Sequence, residues 1–81
     1  MVELYLIVFN NTHEAMTMEN KLKELTIANR IVPTPTSITY SCGLSIRVNG
    51  DDLENIKSII DKHNLKIKNI FYKENGEYFP L

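Results

Sequence analysis

The sequence predicts an α+β fold: a ferredoxin-like βαββαβ sandwich in which one antiparallel four-stranded sheet of order 4-1-3-2 carries both helices on one face. Three observations predict it. Short apolar runs alternate with longer stretches of helical period, the strand-helix-strand pattern occurs twice, and no linker, low-complexity tract or longer repeat interrupts the two halves. At 81 residues the chain is read as a single domain, residues 1–81, because a chain of this size buries only about 60% of its extended surface and supports one modest core. Any functional site must then lie at an edge of that core.

The run Glu3 to Phe9, ELYLIVF, is continuously apolar, rich in branched and aromatic residues, and followed at once by turn residues, so it reads as a buried central strand. Asn11 and Glu14 have capping-box spacing, and Ala15, Met18, Leu22 and Leu25 fall on one helical face, which predicts a helix from about His13 to Leu25. Ala28 to Val32 is a second strand, ended by Pro33 and Pro35, which have no backbone N–H to give a ladder. A loop from Pro33 to Ser41 follows. GLSIRV alternates, with Leu44, Ile46 and Val48 on the core side and Ser45 and Arg47 on the other. Asp51 and Glu54 repeat the capping-box spacing, and Leu53, Ile56, Ile60 and His63 share a face of a second helix ending near Asn64. Lys66 to Lys73 is the fourth strand, and ENGEYFPL is a turn and a short tail. The face of the sheet away from the helices is expected to carry Tyr5, Ile7, Phe9 and part of the fourth strand. Such an apolar face invites a homodimer, or a tail whose Tyr78, Phe79 and Leu81 fold back over it.

Composition narrows the function classes. Nine Lys and Arg against ten Asp and Glu leave a formal charge of -1, so there is no summed positive field for nucleic acid or anionic lipid. The apolar segments are short and interrupted by charge, and MVELYLIVF lacks a basic n-region and a small-residue cleavage site, so neither a membrane span nor a signal peptide is expected and the location is read as cytoplasmic. The one cysteine, Cys42, forms no internal disulfide and suits a reducing compartment. No GxGxxG, P-loop, nucleophile elbow or aromatic RNA-binding run occurs.

In the expected topology Cys42 sits at the edge of the sheet where the first strand ends and the first helix starts. Asn11, Thr12 and His13 reach the same edge, with unpaired backbone N–H groups and the positive end of the helix dipole, an environment that favours a thiolate. Small neighbours, Ser41 and Gly43, leave room for an incoming group, and Gly43 permits close backbone approach or an unusual dihedral. The alternative is a packed cysteine, since Cys42 shares strand parity with Leu44 and Ile46. His13 reads as a solvated first-turn residue, His63 as a helix-end residue suited to the C-terminal dipole, and Arg47 as a solvated or interface cation. Cys42, His13 and His63 share one rim but have no zinc spacing, and there is no CxxC, so no metal site is assigned.

Two segments, YLIVFNNTHEAMTMENKL and RIVPTPTSITYSCGLSIRV, carry a resemblance. The chain resembles the selenium/sulfur carrier-like family, formerly a domain of unknown function, whose members have an apolar first strand, a histidine-containing helix start, a helix glutamate and a VPTP…SCG segment followed by an arginine. The matching positions are Asn11, Thr12, His13, Glu14 and Ala15, then Glu19, then Val32 to Pro35, Ser41, Cys42 and Gly43, and Arg47. Two positions depart from the pattern. Thr36 stands where the family tends to have arginine, which removes a cation aimed at a bound anion or the thiolate and leaves Arg30 as a substitute, and Thr39 stands where a serine is frequent.

The resemblance implies a stoichiometric carrier rather than an enzyme. Cys42 takes a chalcogen from a persulfide or perselenide donor, holds it and hands it to an acceptor protein; Ser41, Gly43, Asn11, Thr12, His13, Thr34, Pro35 and Arg47 form its surroundings. No cofactor is implied beyond cysteine-bound sulfur or selenium. The lack of a second cysteine suits this role, because a resolving thiol would discharge the cargo as a disulfide. The competing reading is a non-catalytic module that dimerises and binds a small ligand or protein at the loop rim, with Cys42 structural. A metallochaperone ranks last, for want of paired cysteines.

Overall fold

The structure is a computed structural model that describes residues 2–38 and 43–81. The elements run β1 (Leu4–Val8), α1 (Thr12–Glu24), β2 (Asn29–Pro33), β3 (Leu44–Val48), a 3-10 turn (Gly50–Asp52), α2 (Leu53–Lys62), β4 (Asn69–Glu74) and β5 (Glu77–Pro80). All pairings in the sheet are antiparallel and its order is β2-β3-β1-β4-β5. The fold is α+β as expected, but the sheet has five strands rather than four.

The additional strand comes from the tail. Asn75 and Gly76 both have positive φ, 53° and 79°, the geometry of a two-residue hairpin whose twist matches that of the strands it joins. Glu74 and Glu77 flank it as partners, and Phe79 then lies opposite Tyr72, the rings stacked with centroids 5.4 Å apart. The tail therefore pairs along the edge of β4 instead of folding over a face. β4 itself starts at Asn69, three residues later than expected.

β1 is the central strand because its residues are buried on both sides of the sheet: Leu6, Ile7, Val8 and Phe9 are all at or below 2% exposure. Ile7 lies opposite Ile46 on one side and Ile70 on the other, and these three, with Phe9 and Val48, join Ala15, Met18 and Leu22 of α1 and Leu53 and Ile56 of α2 in one core cluster. Tyr5 packs against the same cluster. This corrects the expected composition of the open face: Tyr5, Ile7 and Phe9 lie on the helix side, and Leu6 and Val8 lie on the other. Of the aromatic residues, Phe71, opposite Leu6, and Tyr78, opposite Lys73, lie half-buried on that other face. Ser45, which alternation places on the side opposite the core, is fully buried beside Val8.

α1 starts at Thr12, and its cap works as the spacing implies, with one shift. Asn11 Oδ1 accepts from the Glu14 N–H at 2.9 Å, while the Glu14 carboxylate reaches back to the N–H of Asn10, not of Asn11. Leu25 is not part of the buried stripe; it is the C-cap and 47% exposed. At the second predicted box the chain makes a 3-10 turn, and neither Asn49 nor Asp52 caps with its side chain, so the Asp51–Glu54 box does not form. His63 takes the helix-end position expected of it, as the exposed C-cap of α2, and is not part of the buried stripe.

Candidate functional site

The sheet end where β1 and β2 finish and β3 and β4 begin is the candidate site. Register brings its parts together: Val8 lies opposite Ser45 and Asn69, and Pro33 opposite Leu44. The Lys68 N–H donates to the Val8 carbonyl at 2.7 Å, and the Thr34 N–H donates to the Gly43 carbonyl at 3.0 Å, so β2 stays zipped to the chain entering β3 beyond the last paired residues. Below that bond the Thr34 and Ser45 hydroxyls are hydrogen-bonded to each other. That contact explains how a fully buried serine is tolerated, because a buried hydroxyl without a partner costs on the order of 1–3 kcal/mol.

Cys42 and Ser41 lie outside the described residues. Gly43, the next residue in the chain, is exposed at the head of β3, and a Cβ placed on it would meet nothing within 4 Å. Gly76, in the turn before β5, has a positive φ of 79°. Pro35 is half-buried and its carbonyl accepts the Ile38 N–H at 3.0 Å, turning the chain just after β2.

Asn11, Thr12 and His13 are exposed at the start of α1, on the same end of the sheet. His13 shares a cavity of about 250 Å³ with Glu14 and Thr17 of α1 and with His63, Asn64, Leu65 and Lys66 after α2. The two histidines are thus brought to one concavity by the start of one helix and the end of the other. Among the described residues no group of three His, Cys, Asp or Glu side chains is placed to hold a metal ion.

Arg47 stands apart from the rim. It lies opposite Leu6 on β1 and Arg30 on β2, four residues along β3 from Gly43, or about 13 Å at the rise of a strand. Sequence reasoning missed two features here. The Thr34–Ser45 pair was hidden because an alternating serine reads as solvent-facing, and the Arg30–Arg47 pairing was hidden because it depends on register between strands separated by a loop.

Among the described residues no helix is long and apolar enough to cross a membrane. No curated protein and no solved structure gives a significant match to the chain. A family profile described as "Putative Se/S carrier protein-like" does match, over residues 4–72, which include β1 to α2, the Val32–Pro35 segment, Cys42 and the first four residues of β4. The chain belongs to that selenium/sulfur carrier-like family.

Proposed function

We propose that the protein carries a sulfur or selenium atom on Cys42 between a donor and an acceptor protein, without turning over a substrate. Membership of the carrier-like family across residues 4–72 is the observation that supports this reading most. The step needs one thiolate and no oxidant. The Cys42 thiolate attacks the terminal chalcogen of a donor persulfide or perselenide; the donor's sulfur–chalcogen bond breaks as the new one forms, and the donor leaves as its thiolate. An acceptor thiolate repeats the attack on Cys42-bound chalcogen and restores the free thiolate. A chain with one cysteine holds no internal thiol to short-circuit the transfer. The α1 N-terminal residues Asn11, Thr12 and His13, with Thr34, Pro35 and Gly43, are the surface on which donor and acceptor would meet this residue, in what we read as a ferredoxin-like core extended by β5.

The test is the intact mass of the native protein after incubation with a cysteine desulfurase and cysteine. The expected result is a gain of one sulfur atom, reversed by reductant and absent in Cys42→Ser. No gain in the native protein, together with slow alkylation of Cys42, would sink the carrier reading. It would favour the second one, a binding module, for which the cavity between His13 and His63 is the supporting observation.

A further inference from the structure

The sheet face turned away from the helices carries two arginines in a single register row. Arg30 on β2 lies directly opposite Arg47 on β3, and both are exposed. Side chains so placed leave the sheet with Cβ atoms about 4.5–5.5 Å apart, and like charges in that position repel. Neither guanidinium has an ion pair or side-chain hydrogen bond to another described residue. The next residue in the row is Leu6, which supplies no counter-charge. An open cavity of about 160 Å³ lies against both arginines, lined otherwise by Ala28, Asn29, Val48 and Asn49, with no carboxylate among them. It is smaller than the roughly 300–1,000 Å³ that takes a drug-sized ligand.

We propose that Arg30 and Arg47 form a binding site for a small dianionic oxyanion group of the sulfate or phosphate class. Two planar guanidinium forks match the oxygens of such a group, and a dianion neutralises both charges where a monoanion leaves one. Binding also relieves the repulsion that the register imposes. The volume restricts the bound moiety to one oxyanion group, and the exposure of both arginines admits it free or attached to a larger molecule. This site is separate from the rim and does not depend on the carrier reading.

The test is an amide NMR titration of the full chain with sodium sulfate and, separately, with O-phosphoserine, at ionic strength held constant with sodium chloride. Saturable shifts at residues 28–30 and 47–49 are expected, with affinity falling about tenfold or more in Arg30→Gln and in Arg47→Gln, the loss of a charge-assisted contact. Arg47→Lys keeps the charge, loses the fork, and should fall between. Saturation by sulfate identifies a free ion as sufficient; clearly tighter phosphoserine binding identifies a phosphorylated group. Shifts that rise without saturating, equal binding in both glutamine variants, or equal binding of sodium acetate would overturn the proposal.

Discussion

Single residues decide the polar details of this fold, and the Thr34–Ser45 contact is the clearest case. Ser45 sits at 0% exposure on the face away from the helices, and its hydroxyl has the Thr34 hydroxyl as partner. Ser45→Ala and Thr34→Val should each cost about 1 kcal/mol in urea denaturation, and the double variant should cost less than the sum, with a coupling of about 0.5–1.5 kcal/mol. Strict additivity would mean that the two hydroxyls do not depend on each other. Nothing in LSIRV marks Ser45 as buried, since alternation assigns it to the polar side. What buries it is its place beside Val8 on the central strand, a relation between distant residues.

At the scale of elements, both helices end in the same way. After α1 the Ile27 N–H donates to the Leu22 carbonyl and the Thr26 N–H to Lys23; after α2 the Leu65 N–H donates to Ile60 and the Asn64 N–H to Asp61. These are Schellman closures, and each needs a left-handed residue, supplied by Thr26 at φ 58° and Asn64 at φ 52°. Asparagine tolerates this region, whereas a β-branched threonine is strained there. Thr26→Gly should therefore raise stability by about 0.5–1 kcal/mol, the relieved strain outweighing the extra chain entropy of glycine in the unfolded state. An unchanged or lower urea midpoint would show that the threonine is not strained. The helices themselves were legible from their apolar period. Their caps were legible in part: Asn11 works because its spacing to Glu14 sits at a true helix start, while the same spacing at Asp51 falls in a 3-10 turn, where the geometry of the box is not met. The β5 strand was illegible because four residues ending in Pro80 are too short a run to read as a strand, although Asn75–Gly76 announced the turn.

For the molecule as a whole, the sheet order of the first four strands followed from the order of elements, but the facing of β1 did not. A strand buried on both sides shows no alternation, so its sequence does not say which residues meet the helices. The pairing of Ile7 with Ile46 says it, and places Phe9 inside the core rather than on an open surface. Phe9 is among the largest fully buried side chains. Phe9→Ala should cost about 3–5 kcal/mol, a large share of the roughly 5–15 kcal/mol that holds a domain together, while Phe9→Leu should cost much less. Equal, small losses in both variants, read from urea unfolding, would place Phe9 back on the surface. The candidate site was legible to a similar degree: the rim follows from topology, and the arginine pair required the register of β2 against β3.

The hairpin at Asn75–Gly76 has a consequence for behaviour in concentrated solution. Without β5, the NIFY run of β4 would present a bare row of N–H and C=O groups on an apolar strand, a template onto which another chain could add itself and begin a cross-β stack. β5 occupies that row and offers in its place a short edge with Glu77 at one end and Pro80, which has no N–H to donate, at the other. The β5 segment thus covers the edge at which another chain would otherwise add, and it lies beyond the part shared with the family profile.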